Sequence, residues 1–167
     1  MNRLIVASAN KGKIREIKEL LGDRYEIISM ADAGINIDIE ETGATFEENA
    51  AIKAKAIFAL CGCPGISDDS GLIVDALNGE PGVYSARYAG NEHDDEKNNQ
   101  KLLAKLKDKT DRSARFVSAV VYYDGKTLIS AEGRVEGKIL TEKKGDNGFG
   151  YDPLFYSTEL KKSFGEA

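Results

Sequence analysis

The sequence predicts a mixed α/β fold. Three observations carry that expectation. Short β-branched runs alternate with helical periodicity in the first half of the chain. The strongest helix pattern, Thr45 to Cys61, lies between two such runs. A long β-type segment, Phe116 to Gly137, dominates the second half. At 167 residues the chain suits one domain with a sizeable core.

Each element has a local reason. Arg3 to Ser8 is a run of small and β-branched residues and reads as a strand. Asn10 to Leu21 follows as an amphipathic helix, with Ile14, Ile17, Leu20 and Leu21 at helical spacing and Gly22 as its stop. Tyr25 to Met30 is a second strand, and residues 31–44 are polar and irregular. Thr45 and Glu48 form a capping box ahead of the apolar run that Phe46 begins. Asp68 to Leu77 reads as strand and Gly79-Glu80-Pro81-Gly82 as a turn. Asp94 to Lys107 is a charged helix that buries Leu102, Leu103 and Leu106. Phe116 to Tyr123 and Thr127 to Gly137 pair around Asp124-Gly125. Glycine-rich Gly145 to Pro153 leads into a short strand, Leu154-Phe155-Tyr156.

Composition removes several function classes. Hydrophobic residues at 41 % and charged residues at 31 % are those of an ordinary globular protein. The net charge of −5 argues against binding nucleic-acid polymers, which need a basic stripe. A few local cations still suffice for a small phosphate ligand. No apolar run approaches membrane-spanning length and none resembles a signal peptide, so a cytoplasmic location is expected. Cys61 and Cys63 stand alone, and the single histidine, His93, lies in a polar loop. That is too few ligands for zinc, and the cysteines read as reduced and structural.

Five segments carry possible chemistry. Ser67-Asp68-Asp69-Ser70-Gly71-Leu72 places two carboxylates against apolar strand residues, which requires a cation or a hydrogen-bond network. A hard divalent ion held through oxygen would serve, and a solvated turn is the plainer alternative. Ser8, Ala9, Asn10, Lys11, Gly12 and Lys13 precede and open the first helix, where free N–H groups and the helix dipole favour an anion. This is not a Walker A loop, because the first glycine is absent and Ile14 follows the lysine. Simple N-capping by Ser8 or Asn10 is the alternative. Lys53 falls at about 340° on a helical wheel that starts from Phe46, inside the stripe of Ala50, Ile57, Leu60 and Cys61, with Asn49 at its edge. Such a lysine meets either a ligand anion or a buried acidic partner. Glu40-Glu41 precede the same helix, where its dipole alone favours carboxylates; equally, they could join Asp68 or Asp69 around one magnesium, which usually takes one or two protein carboxylates, so at most two of the four need be ligands. Finally, Phe149 or Tyr151 in Gly148-Phe149-Gly150-Tyr151-Asp152-Pro153 offers a stacking surface for a base, and Asp152 an acceptor for a ring N–H. A tight connector is the alternative there.

Taken together, these segments resemble the inosine/xanthosine triphosphate pyrophosphatases. The matching pieces are Ser8 to Lys13, Glu40 to Ala50 with Lys53-Ala54, Ser67 to Leu72, Pro81-Gly82-Val83-Tyr84-Ser85-Ala86-Arg87-Tyr88, and Gly148 to Pro153, in family order along nearly the whole chain. The resemblance implies a two-lobed α/β fold with a long mixed central sheet flanked by helices, a deep nucleotide cleft between lobes, and a homodimer. It implies Mg²⁺-dependent hydrolysis of dITP, ITP and XTP to monophosphate and pyrophosphate. By motif, Ser8, Asn10, Lys13 and Lys53 would hold the triphosphate, Ala9, Lys11 and Gly12 belonging to the same segment. Glu41 and Asp69 would hold the metal, and Asp69 would orient or deprotonate the attacking water. Ser70 would contact the nucleotide, and Phe149, Gly150, Tyr151 and Asp152 would receive the base. The family continues past Phe164-Gly165-Glu166 into another helix and a Ser-His-Arg motif that helps read the purine. This sequence ends at Ala167, so the expected unit is a single domain over 1–167 without that helix. Two other readings remain: a Maf-type pyrophosphatase for pyrimidine or modified nucleotides, and a catalytically silent nucleotide-binding or dimerisation module. A haloacid-type phosphatase does not fit, since Asp68-Asp69 lacks the spaced Asp-x-Asp pattern.

Overall fold

Leu4, Ile5 and Val6 are buried at the end of β1 (Asn2–Val6), the strand around which the first half of the chain is organised. The structure is a computed structural model that describes residues 2–8, 11–36, 39–90, 94–148 and 150–167. The next elements are α1 (Lys11–Leu21), β2 (Tyr25–Ser29), α2 (Phe46–Cys61) and β3 (Gly65–Val74). They are followed by α3 (Asp95–Leu106), β4 (Ser113–Tyr123), β5 (Leu128–Ile139), β6 (Phe155–Ser157) and β7 (Lys162–Ser163), with 3₁₀ turns at Asp75–Leu77 and Gly82–Arg87. The strands form one open mixed sheet in the order β2-β1-β3-β4-β5-β6-β7. β1 runs parallel to β2 and to β3, while β6 is antiparallel to β5 and to β7. No helix among the described residues is long and apolar enough to cross a membrane.

The chain divides into two compact units: Met1–Asp69 with Ala119–Glu132, and Ser70–Ser118 with Gly133–Ala167. In the first, Ile5, Ala7 and Ile57 pack with Ile28, Met30, Ile35 and Ile39. Ala50 and Ala54 of α2 pack against Val121 of β4. Gly125 lies at φ +92° beside the Phe58 ring, where a Cβ would come within 2.3 Å of ring carbon, so the hairpin turn requires glycine. In the second unit, Leu72 and Val74 of β3, Leu102 and Leu106 of α3, and Leu154 and Phe155 form one core. Phe116, Phe155 and Phe164 contact one another through their rings there. Arg112 fastens the end of α3 by donating to the carbonyls of Leu106, Ile139 and Leu140.

The capping of α2 follows the local pattern. Thr45 Oγ1 accepts from the Glu48 N–H at 3.1 Å, and Glu48 reaches back to the N–H of Ala44. Gly62 closes the helix in the left-handed conformation, its N–H on the Phe58 carbonyl.

Four expectations change. The strand expected over Asp68 to Leu77 runs over Gly65–Val74 instead, so the acidic pair lies in its middle and Asp75–Leu77 form a 3₁₀ turn. Leu20 is 79 % exposed, and α1 fully buries no residue. Its angular position explains this: Ile14, Ile17 and Leu21 share a face, while Leu20 sits about 90° away from it. In α2 the buried stripe ends at Ile57, leaving Leu60 half exposed and Cys61 exposed. Periodicity fixes the direction of a face, not how far its cover extends. β7 is only two residues long and carries no pattern that a sequence reading detects.

Candidate active site

β3 divides its acidic pair by alternation. Successive strand residues point to opposite faces, so Ser67 and Asp69 share one side and Asp68 takes the other. Ser67 is buried and its hydroxyl donates to the Ala50 carbonyl of α2. Asp68 meets Lys13, in the first turn of α1, at 2.6 Å. Lys53 emerges from the core-facing side of α2 with its side chain only 15 % exposed. Its ammonium lies 3.1 Å from Glu41 and donates to the Asp68 backbone carbonyl. Of the two partners the sequence left open for Lys53, the structure shows a carboxylate, and Glu41 is half-buried.

Asp69 is the unusual group. Its Oδ2 is buried and has no hydrogen-bond partner among the described residues. Burial pushes its pKa from the ordinary 3.8 up to about 6, and the neighbouring charges of Glu41 and Asp68 add to the rise. Lys53 and a hydrogen bond from Asn49 act in the opposite direction. Asn49, at 1 % exposure, also accepts from the Gly43 N–H at 2.7 Å. One amide thus ties the segment that carries Glu41 to Asp69. Its only sequence signal was an asparagine at the edge of an apolar stripe, and the reading assigned it no role.

A cavity of about 910 Å³ in the first unit is lined by both lysine–carboxylate pairs. Lys11, Lys13, Arg15, Lys18 and Lys53 line it, against Asp32, Glu41 and Asp68, with Ser8 on its wall. In a chain of net charge −5, this is a locally basic surface beside acidic groups. α1 begins at Lys11, so Lys11, Gly12 and Lys13 form its first turn, which carries no acidic residue. Ala9 and Asn10 lie outside the described residues.

The residues expected at a base occupy the second unit. Ser70, Gly150, Tyr151 and Asp152 line a separate cavity of about 560 Å³ together with Asp95 and Asn98. Tyr151 is only 4 % exposed, and its hydroxyl donates to the Ser85 carbonyl at 2.6 Å. This makes Tyr151 a buried wall of the cavity and not a free stacking surface. Phe149 and His93 lie outside the described residues.

Residues 4–167 match the Ham1 family. The chain belongs to that family. A dITP/XTP pyrophosphatase of Haemophilus influenzae is 49 % identical over 170 residues, covering 98 % of this chain and 87 % of that protein. A dITP/XTP pyrophosphatase of Bacillus licheniformis is also 49 % identical over 170 residues, covering 99 % of this chain and 87 % of its own. The solved structure of a Ham1 protein from Staphylococcus aureus superposes with a TM-score of 0.94 at 45 % identity, covering 99 % of this chain and 86 % of that one. Its agreement with the open mixed sheet extends the family match to the fold.

Proposed function

We propose that this protein hydrolyses non-standard purine nucleoside triphosphates, dITP, ITP and XTP, to the monophosphate and pyrophosphate, and so cleanses the nucleotide pool. One observation carries the reading: two lysine–carboxylate pairs stand on the wall of one basic cavity, and charges from both act on Asp69, whose buried Oδ2 has no hydrogen-bond partner among the described residues. Family membership and relatives named dITP/XTP pyrophosphatase support the choice of substrate. A homodimer in the cytoplasm belongs to the same proposal and rests on the family resemblance.

The donor set fits Mg²⁺. Among the described residues no cluster of three or more metal-ligating side chains occurs, but magnesium commonly takes only one or two carboxylates. Asp69 has a buried oxygen without a partner, and the Glu41 charge acts on it strongly enough to raise its pKa. A dication between them would relieve both conditions, so Glu41 and Asp69 are the proposed ligands. When bound, the ion would neutralise phosphate charge and polarise the phosphate oxygens.

The chain's own groups supply the rest. In the free protein Lys13 and Lys53 pair with Asp68 and Glu41. Phosphate oxygens of a bound triphosphate would compete for both lysines, which would then cover the phosphates and stabilise the departing pyrophosphate. The N-terminal turn of α1 and Ser8 add donors along the phosphate chain. Asp69 orients water at the α-phosphorus; a carboxylate that also holds the metal stays ionised and is a weaker proton acceptor, so orientation is its first duty and proton acceptance its second. Ser70 and the Phe149–Asp152 segment take the nucleoside end. A 6-oxo purine offers an acceptor where adenine offers a donor, which a buried N–H distinguishes well.

Initial rates with dITP, XTP, dUTP and dTTP in magnesium test the reading. It requires pyrophosphate release from dITP and XTP at least about tenfold faster than from the pyrimidines. Preference for dUTP or dTTP would favour a Maf-type enzyme, and no turnover would favour a silent module.

A further inference from the structure

The segment that lines the second cavity is held at its centre from one helix. Gly150 donates its N–H to Asp95 Oδ2 at 2.9 Å. Its carbonyl accepts from Asn99 Nδ2 at 3.0 Å. Asp95 and Asn99 are four residues apart, on one face of the first turns of α3. Both polar groups of a single residue are therefore bound by side chains 55 and 51 positions away. Gly150 sits at φ +61°, a conformation that the two bonds hold in place. Further along, the Asp152 backbone carbonyl accepts from the Gly165 N–H at 2.9 Å.

Asn99 is the more informative of the two. It is 2 % exposed, is not among the residues that line the cavity, and its Oδ1 is buried without a partner among the described residues. A buried polar atom left unsatisfied is destabilising, and leucine of similar volume would avoid it. Among the hydrogen bonds described, the amide serves Gly150 alone. The neighbouring Asn98 differs: its oxygen accepts from Ala89 and its nitrogen donates to Ala86.

We infer that Asp95 and Asn99 are positioning residues that fix the Gly150 peptide and thereby set affinity and discrimination at the purine end of the substrate. The inference rests on the reading above, in which the 149–152 segment receives the base. Asn99 acts only through Gly150, whereas Asp95 also lines the cavity. Neither belongs to the unit that holds the lysines and Asp69.

The test compares Asn99→Leu, Asp95→Ala and Asp95→Asn with wild type. KM and kcat are measured for dITP and dGTP, and Ki for inorganic tripolyphosphate, which carries no base. Asn99→Leu and Asp95→Ala are expected to raise KM for dITP about tenfold and to lower the dITP/dGTP ratio of kcat/KM by a similar factor. Their kcat for dITP should stay within about threefold, and tripolyphosphate Ki within about twofold. Asp95→Asn keeps an oxygen opposite the Gly150 N–H and should recover at least half of the lost affinity. Asp95 is exposed, so its variants keep the test valid if Asn99→Leu does not fold. Unchanged KM and discrimination in both Asn99→Leu and Asp95→Ala, or a tripolyphosphate Ki that rises with KM, would overturn the inference alone. Wild-type protein that treats dITP and dGTP equally would overturn the functional reading and the inference with it.

Discussion

Replacing Asp69 by asparagine should stabilise the metal-free protein while removing its activity. The carboxyl holds its proton up to about pH 6 in the folded chain, against an ordinary 3.8. The folded state therefore binds a proton more tightly than the unfolded state. The stabilisation this gives is intact below about pH 4 and is lost as pH rises through about 6. A shift of about two pK units corresponds to about 3 kcal/mol at neutral pH. Solvent still reaches part of the side chain, so about half of that is the working figure, or about 1.5 kcal/mol. For a chain of this size the expected rise in Tm is about 3–6 °C. The assay is thermal melting of wild type and Asp69→Asn in EDTA at pH 7.5 and at pH 4.2. The gap should be present at pH 7.5, shrink at pH 4.2, and shrink again when magnesium replaces EDTA. Equal melting temperatures at pH 7.5, or a gap of the same size at both pH values, would refute the assigned burial and charge repulsion at Asp69.

Three further outcomes follow from the same geometry. Thr45→Ala removes the hydroxyl that caps α2 and should lower stability by about 1 kcal/mol, read by urea denaturation. The double variant Arg15→Gln/Lys18→Gln removes two cations from the cavity wall but none from the ion pairs. It should lower kcat/KM for dITP severalfold at low ionic strength, with the difference fading near about 0.5 M salt. Lys53→Met leaves Glu41 and the Asp68 carbonyl without their shared cation. Its kcat/KM should fall about 10²-fold or more, read from pyrophosphate release at saturating magnesium.

Much of the fold was legible because its signals are local. The start of α2 follows from Thr45 and Glu48, and its buried face from apolar residues three and four apart. α3 shows the same, with Asp94 as its cap over a face of leucines. The long β4–β5 segment was readable from its β-branched content and the Asp124-Gly125 turn, although β4 begins earlier, at Ser113, and β5 ends later, at Ile139. The parts of the site that chain motifs carry were also legible: the residues that open α1, the lysine on the apolar face of α2, and the acidic pair of β3. Their pairings were not. Which carboxylate meets which lysine depends on strand alternation and on how α1 and α2 lie on β3, and neither is encoded within a short window. The clamp on Gly150 was invisible for the same reason, since an aspartate and an asparagine near a helix start normally read as caps. Tyr151 shows the converse problem. An aromatic residue in a glycine-rich segment suggests exposure, yet its hydroxyl found a buried carbonyl that only the folded chain supplies.

The central claim is that Asp69 acts on water at the α-phosphorus of a triphosphate held by the lysines. The most direct measurement is turnover of dITP in ¹⁸O-labelled water with magnesium, by wild type and by Asp69→Asn, with products resolved by mass spectrometry. The account requires dIMP carrying one label and unlabelled pyrophosphate from wild type, and a rate at least about 10³-fold lower from the variant. Label in the pyrophosphate, or a variant within tenfold of the wild-type rate, would contradict it.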